Sequence, residues 1–262
     1  DWGEVDMLVY SLASPRRSDP RTGETYRSVI KPIGNTPFSG KTIDTDKERI
    51  VDASIEPATE QQISETVKVM GGEDWELWVE FLAKRKLLSE GFKTVAYSYV
   101  GPHQTWPVYR DGTIGRAKID LERAARGITN SLANIGGKAF VSVNKAVVSQ
   151  ASAAIPVVPL YISIMLKVMR EKGVDEGIVE QIYRLFREHL YSASPASLED
   201  GLRIRIDDRE LRDDVQQAIE EIWQRVDSEN LSQITGFGDY KREFLRLFGF
   251  GLHVGLRLGF LL

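Results

Sequence analysis

Lys93-Thr-Val-Ala-Tyr-Ser-Tyr99 begins a segment in which strand and helix patterns alternate. A strand is predicted over residues 92–100, and a helix that runs through Ala133 follows it. A second strand, Ala139-Phe-Val-Ser-Val143, and a long apolar helix come next. Strands and helices that alternate with short joints are typical of a parallel sheet with crossover helices. The segment therefore predicts an α/β fold.

The residues before this segment extend the same pattern. Residues 5–12 form a short apolar run that predicts a buried parallel strand. Residues 16–52 are rich in Pro, Gly, Thr and charge, which predicts a flap-like insertion of loops and hairpins. Helices are predicted over residues 60–70 and 73–88, and Gly91 is expected to end the second one.

The C-terminal third, residues 176–262, is predicted to be nearly all helical. The three helices expected there cover about residues 176–190, 208–227 and 238–248. They would lie beside the sheet as additional C-terminal helices.

Composition limits the classes of function. The chain of 262 residues has a formal net charge of −4, which argues against a nucleic-acid binder. It contains no cysteine, and its three histidines show no ligand spacing, so we expect no disulfide and no metal site. The apolar run 146–169 is interrupted by polar residues, prolines and Lys167, which favours a core helix over a membrane span. We expect a cytoplasmic monomer.

Tyr109 and Lys118 lie nine positions apart in Tyr109-Arg-Asp-Gly-Thr-Ile-Gly-Arg-Ala-Lys118. At roughly 100° per residue, one continuous helix would put these side chains on opposite faces. We therefore expect Tyr109 in a loop and Lys118 inside a helix that Asp111 or Thr113 caps. An ammonium beside a phenol favours the phenolate, which predicts a Tyr109 pKa below its usual value. The pair predicts a dehydrogenase-like site; a surface lysine and an interfacial tyrosine are the structural alternative.

Other features indicate a ligand site at the same end of the predicted sheet. Tyr97 and Tyr99 alternate along their strand and share a face, and Tyr99, at the carboxyl end, is better placed to reach a substrate. Residues 146–159 place small side chains at a strand exit, before an apolar helix. They could line a ligand site, or form a core helix kinked by proline. The sequence contains no Gly-x-Gly-x-x-Gly phosphate loop.

Several segments, in order, resemble the family of trans-2-enoyl-CoA reductases and type V enoyl-acyl carrier protein reductases. They are Asp6-Met-Leu-Val-Tyr-Ser-Leu-Ala-Ser-Pro15, Tyr26-Arg-Ser-Val-Ile-Lys-Pro-Ile-Gly34, Ile55-Glu-Pro-Ala-Thr59, Val69-Met-Gly-Gly-Glu-Asp-Trp75, Tyr109-Arg-Asp-Gly-Thr-Ile-Gly115, Lys145-Ala-Val-Val-Ser-Gln-Ala-Ser152 and Phe244-Leu-Arg-Leu-Phe-Gly-Phe250. The resemblance implies a Rossmann-like parallel sheet, similar to that of short-chain dehydrogenases, and a Tyr-x8-Lys pair.

The resemblance also implies an activity and roles for residues. The reaction would be the NADH-dependent reduction of trans-2-enoyl thioesters of coenzyme A or acyl carrier protein, in fatty acid metabolism. Tyr109 would donate the proton and bind the oxyanion, Lys118 would bind the cofactor ribose, and Tyr99 would contact substrate near the thioester carbonyl. The cofactor-contact segments of the family match Leu12, Ala13, Val147, Val148 and Ser149.

The sequence departs from the family pattern in three places. The N-terminal units with the cofactor loop are missing, so residues 1–262 resemble the C-terminal two-thirds of a single reductase domain. Ser149 stands where the family pattern leads us to expect Thr, and the tail 251–262 lacks the expected acidic character. Two alternatives stay open, a non-catalytic remnant of such a reductase and a dehydrogenase of similar fold that acts on a carbonyl substrate.

Overall fold

The computed structural model describes residues 3–12, 14–192 and 198–251. The strands in these ranges are β1 (Val5–Tyr10), β2 (Arg16–Ser18), β3 (Thr25–Arg27), β4 (Phe38–Asp44), β5 (Arg49–Ile55), β6 (Leu88–Ser98), β7 (Lys138–Val143) and β8 (Arg203–Arg205). The α-helices are α1 (Glu60–Met70), α2 (Glu73–Lys84), α3 (Thr113–Ser131), α4 (Gln150–Ala153), α5 (Val158–Glu171), α6 (Ile178–Arg184), α7 (Asp213–Arg225), α8 (Leu231–Ile234) and α9 (Phe237–Arg246). A 3₁₀ turn covers Ala133–Ile135, and a π-helical turn covers Leu185–Leu190.

Four of these strands form a parallel sheet in the order β1-β6-β7-β8. Val95 of β6 pairs with Val9 of β1 on one side and with Phe140 of β7 on the other. Because all three pairings are parallel, the carboxyl ends of the strands meet at one edge of the sheet. The α/β class and the Rossmann-like parallel sheet expected from the sequence are confirmed.

Helices cover both faces of the sheet. On one face, Trp75 of α2 and Leu121 of α3 pack against Phe92 and Ala96 of β6. On the other face, Val95 packs with residues of the π-helical turn and of β8. Val95 and Ala96, adjacent residues of β6, are buried on opposite faces, so this strand is covered on both sides. A third buried cluster centres on α5, with α7 and α9 beside it.

The inserted region contains two antiparallel hairpins. β2 pairs with β3, and β4 pairs with β5 through a register in which Gly40 lies opposite Ala53. Ile43 of β4 joins the buried cluster around α5. The hairpins and the helical C-terminal part are present as the sequence predicts, although the second hairpin continues past residue 52 to Ile55.

One boundary was predicted wrongly. α2 ends at Lys84, and the strand begins at Leu88 instead of at residue 92. Gly91 therefore does not end a helix; it lies inside β6 with φ of +71°. The pairing with β1 is irregular at this point, because Val5 pairs with Leu88 and Met7 pairs with Lys93. A glycine tolerates the positive φ that such a bulge requires.

Other expectations also need correction. No side chain caps α3, whose N-cap residue is Gly112; Thr113 donates a hydrogen bond to the carbonyl of Val29, and Asp111 pairs with Arg110. The apolar run does not form one kinked helix. It divides into α4 and α5, with Pro159 in the first turn of α5.

The C-terminal helices are shorter than the sequence predicts, and the strand β8 was missed. β8 has only three residues, and charged Arg203 and Arg205 flank Ile204, so it has no apolar run to detect. Within the described ranges, no helix combines the length and apolar character needed to cross a membrane. The same ranges contain no cluster of three His, Cys, Asp or Glu residues arranged to hold a metal ion.

Candidate active site

A cavity of about 250 Å³ lies at the carboxyl edge of the sheet. Its walls come from the residues after β1, the end of β6 and its following loop, α3, the segment after β7, and the starts of α4 and α5. Six residues that the sequence singled out line it, namely Leu12, Tyr99, Tyr109, Lys118, Val147 and Ser149. The parallel sheet thus brings together side chains that are far apart in the sequence.

The loop between β6 and α3 positions Tyr109. The backbone N–H of Tyr109 donates to the carbonyl of Thr105 at 3.0 Å, and the carbonyl of Tyr109 accepts from the N–H of Gly115 at 2.9 Å. A Cβ on Gly115 would lie 1.7 Å from the carbonyl oxygen of Arg110. Glycine is therefore required where this loop turns back onto the first turn of α3.

Lys118 lies in the second turn of α3, as expected. Its ammonium donates to the carbonyl oxygen of Tyr97, at the carboxyl end of β6, over 3.3 Å. No carboxylate of the described residues forms an ion pair with Lys118. Among these residues, only the dipole of a backbone carbonyl group balances the charge of Lys118.

The electrostatics of the pair differ from the sequence-based expectation. Burial raises the pKa of Tyr109 to about 12 and lowers the pKa of Lys118 to about 8. The expected lowering of the Tyr109 pKa is wrong, because burial removes water from the phenolate and so disfavours the charged form. At neutral pH the phenol is protonated and Lys118 is mostly charged. The lining of the cavity therefore contains both a proton donor and a cation.

Tyr99 also lines the cavity. Its ring meets the ring of Tyr109 edge to face, with centroids 5.3 Å apart. Its hydroxyl donates to the carboxylate of Glu210 at 3.1 Å. Burial, with the nearby Glu210 charge, raises the pKa of Tyr99 well above its ordinary value. The Tyr99 phenol is therefore neutral, and its hydrogen bond to Glu210 holds the hydroxyl in place.

The segment after β7 forms a further wall. Val147 and Ser149 line the cavity, and Ser149 also begins α4 by accepting a hydrogen bond from the N–H of Ser152 at 3.1 Å. Val148 does not line the cavity; its side chain is buried in the cluster around α5. Contact between Val148 and a ligand of this cavity would therefore use its backbone. Ala13 lies outside the described residues.

Apolar side chains form part of the cavity lining. Ile155, Val158 and Ile162 contribute from the start of α5 and the residues before that helix. These side chains suit a hydrocarbon chain, whereas the tyrosines and Lys118 suit a polar head with a carbonyl group.

Sequence reasoning missed two charged groups, namely Lys145, which lines the cavity, and Glu210, which lies behind Tyr99. Glu210, between β8 and α7, is fully buried, and Lys145 is 4% exposed. Burial raises the pKa of Glu210 to about 7, although the Ala146 N–H, the Tyr161 hydroxyl and the Lys145 charge oppose the shift. Glu210 stands in the charged stretch Asp207-Asp-Arg-Glu210, which resembles an ordinary solvated segment. No local signal marks it as buried.

The cavity suits one end of a dinucleotide. It lies at the carboxyl ends of parallel strands, where ligands of open α/β sheets bind, and Lys118 can donate to ribose hydroxyls. Ser11, Leu12, Val147 and Ser149 provide small and apolar surface in its lining. The chain has no glycine-rich loop for a pyrophosphate. The described residues therefore fit the nicotinamide and ribose end of the cofactor.

Comparison with known proteins extends this description. Residues 1–191 match the sequence model of the trans-2-enoyl-CoA reductase catalytic region. Residues 198–254 match a model described as the enoyl reductase FAD binding domain. No residue of that second region lines the cavity described above, so we derive no flavin chemistry from the match.

Individual relatives agree with the first match. An enoyl-[acyl-carrier-protein] reductase [NADH] of Edwardsiella ictaluri is 57% identical over 252 residues, and one of Vibrio vulnificus is 55% identical over 254 residues. Each alignment covers 96% of this chain but 63% of the relative.

Solved structures agree as well. The trans-2-enoyl-CoA reductase of Clostridium acetobutulicum, in complex with NADH, has a TM-score of 0.93 and 46% identity, over 97% of this chain and 64% of its own. The Treponema denticola trans-2-enoyl-CoA reductase, in complex with NAD, has a TM-score of 0.91 and 47% identity, over 96% and 63%. Because the catalytic-region match covers well over half of the chain, the protein belongs to the trans-2-enoyl-CoA reductase family.

Proposed function

We propose that the chain carries the catalytic part of an NADH-dependent reductase that converts trans-2-enoyl thioesters to saturated acyl thioesters. The observation that carries the proposal is the cavity at the carboxyl edge of the sheet, which Tyr109 and Lys118 both line. The names of the relatives, which include NADH and enoyl-acyl carrier protein, support this cofactor and this substrate class. The chain spans 63% of the curated relatives, so the activity concerns the protein completed to their length.

When bound, NADH supplies a hydride to Cβ of the enoyl group. The electrons of the double bond then move toward the thioester carbonyl, and an enolate forms on the substrate. Tyr109, which stays protonated at neutral pH, gives its proton to Cα and afterwards takes one from water. Lys118 stabilises the negative charge that develops during this transfer and binds the cofactor ribose.

Tyr99 and the apolar wall would orient the substrate. Tyr99 lies against Tyr109, so a thioester carbonyl held beside it would also lie near the proton donor. Ile155, Val158 and Ile162 would bind the acyl chain. Leu12, Ala13, Val147, Val148 and Ser149 would contact the cofactor. Coenzyme A and acyl carrier protein both remain candidate carriers.

The decisive experiment is a substitution of Tyr109 in a completed protein. The chain is joined to the part of the Vibrio vulnificus relative that the alignment leaves uncovered, and NADH oxidation is followed with crotonyl-CoA. Tyr109→Phe should lower kcat by about 10²- to 10⁴-fold, because the proton donor is lost while the ring is kept. Tyr183→Phe, at an exposed tyrosine of α6, should leave kcat unchanged.

Other outcomes would favour the alternatives. Turnover by Tyr109→Phe close to that of the unsubstituted protein would contradict the proposal. A completed protein that folds but neither binds nor oxidises NADH would indicate a non-catalytic remnant. Oxidation of NADH with ketones, but not with enoyl thioesters, would indicate a carbonyl dehydrogenase. The monomeric state and the cytoplasmic location stay predictions. The absence of cysteine fits the reducing compartment that a cytoplasmic location implies.

A further inference from the structure

Glu210 lies directly behind the wall of the cavity without lining it. Its side chain is fully buried, and two tyrosine hydroxyls share its Oε1 atom. Tyr99 donates to this atom at 3.1 Å and Tyr161 of α5 donates at 2.7 Å. The Oε2 atom accepts from the backbone N–H of Ala146 at 2.7 Å. One carboxylate thus joins two walls of the cavity, Tyr99 and the segment that begins at Ala146.

The two tyrosines are held differently. Tyr161 also accepts a hydrogen bond from the side-chain amide of Gln216 at 3.1 Å, which keeps its own proton directed at Glu210. Tyr99 makes no second hydrogen bond through its hydroxyl within the described residues, and it lines the cavity. Of the two hydroxyls, that of Tyr99 is the one free to turn.

The charges around Glu210 do not fix its carboxyl group in one protonation state. Lys145 donates to the carbonyl of Ala146 and lies 3.6 Å from Asp175, so its charge is shared. Asp207 pairs with Arg205 at 2.7 Å and adds a small repulsion. Burial is the largest influence, and it raises the pKa of Glu210 to about 7. Both forms of the carboxyl group are therefore populated near neutral pH.

We propose that Glu210 is a positioning residue of the active site, which holds Tyr99 and the Ala146 segment in place and sets the direction of the Tyr99 hydroxyl proton. The inference rests on the proposed reductase function. As a carboxylate, Glu210 can only accept, so Tyr99 directs its proton away from the cavity. As a carboxylic acid with its proton on Oε1, Glu210 donates to the Tyr99 oxygen. The phenol proton then turns into the cavity, where it can bind a thioester carbonyl.

The expected consequence is a pH dependence of substrate binding. With a pKa of about 7, the donor form of Tyr99 falls about tenfold between pH 6 and pH 8. The Kd of crotonyl-CoA, measured by calorimetry with the completed protein, should rise by that factor. Glu210→Gln should abolish the change, because its amide oxygen can accept from Ala146 while its NH₂ donates to Tyr99 at every pH.

Glu176→Gln is the matched control. Glu176 is also a buried carboxylate, but it pairs with Arg184 and Arg209, and among the described residues it forms no hydrogen bond with Tyr99, Tyr161 or Ala146. This variant should keep the pH dependence of the unsubstituted protein. A purely structural role of Glu210 would change stability and leave the pH profile of Kd in place.

Two results would overturn the inference. One is a Kd that changes with pH in Glu210→Gln as it does in the unsubstituted protein; the other is a carboxyl ¹³C resonance of Glu210 that does not titrate between pH 6 and pH 8. In either case, the kcat of Tyr109→Phe still decides the proposed function separately. Absence of crotonyl-CoA binding in the unsubstituted protein would remove both proposals.

Discussion

Lys118, in the cavity at the sheet edge, lacks an ion-pair partner among the described residues, whereas the charged groups in the ion cluster around Glu73 are paired. In the cavity, Tyr109 and Lys118 lose water and gain no opposite charge from the described residues. In the cluster, Glu73 is bound by Arg17 at 2.8 Å, Arg21 at 2.6 Å and Lys68 at 3.0 Å. Burial opposes the charge of Glu73, but these hydrogen bonds prevail and lower its pKa to about 2.

The difference separates groups that can exchange protons from groups that only hold the fold together. The Glu73 cluster ties the β2–β3 hairpin to the start of α2, and near pH 7 none of its charges changes. In the cavity, burial without an opposite charge lowers the pKa of Lys118 to about 8; behind the cavity wall, burial raises the pKa of Glu210 to about 7 despite its hydrogen bonds. Perturbation of this second kind marks functional sites.

The largest effect that we expect from this comparison is on Lys118. Lys118→Met should lower kcat/KM for crotonyl-CoA by about 100-fold, because the positive charge beside Tyr109 and the donor to ribose are lost together. The Kd of NADH, measured by titration, should rise in the same variant. Lys138→Met, at an exposed lysine of β7, should change neither quantity. Unchanged NADH affinity in Lys118→Met would refute the ribose role.

The second effect is on stability and concerns Glu210. Its pKa is about 7 in the folded protein and 4.5 in its ordinary state, so the folded state binds the proton more tightly. The associated stabilisation is present below about pH 4.5 and is lost as the pH rises through 7, by about 3 kcal/mol in total. Glu210→Gln does not lose this stabilisation as the pH rises, because the glutamine side chain does not titrate. Urea unfolding at pH 5 and pH 8 should therefore show the variant gaining relative to the unsubstituted protein at pH 8.

A gain of this size at pH 8 in Glu176→Gln would contradict the assignment to Glu210. Equal pH dependence of the unsubstituted protein and Glu210→Gln would show that the buried carboxyl keeps an ordinary pKa. The cavity would then resemble the ion cluster, and the contrast between the two regions would fail.

The smallest effect is expected in the ion cluster. Glu73→Gln should lower the free energy of unfolding at pH 7 by about 1 kcal/mol, since its partners are partly exposed to solvent. Because the pKa of Glu73 is lowered, its contribution is present above about pH 4.5 and is lost as the pH falls toward 2. Denaturant unfolding at pH 7 and pH 3 should show the difference from the unsubstituted protein narrowing in acid. Turnover of crotonyl-CoA should stay within twofold; a larger loss would place Glu73 in the functional site.

Local patterns explain which parts of the fold could be predicted. The bounds of α1 agree with the prediction, because Thr59 caps its start and the Gly71-Gly72 pair follows Met70. The start of β6 was missed because Gly91, which usually ends a helix, serves a bulge here. That bulge exists only through the pairing with β1, more than eighty residues away in the chain.

The candidate site, like the fold, could be predicted only in part. Tyr109, Lys118 and Tyr99 could be selected because strand ends and loop–helix junctions of an α/β fold are recognisable in sequence, and they line one cavity. Glu210 could not be selected, because its burial depends on α5, on the segment after β7 and on Tyr99, which lies 111 positions earlier in the chain. The roles of all these residues stay proposals until the variants are measured.

The amino-acid sequence alone determined most of the order of strands and helices, though not β8, together with the parallel character of the sheet and the kinds of side chain at its carboxyl edge, since local patterns of residues indicate these. The tertiary structure decided the electrostatic state of those side chains. Tyr109 has a raised pKa, and Glu210 joins the site, because burial and hydrogen bonding are set by residues that only folding brings together.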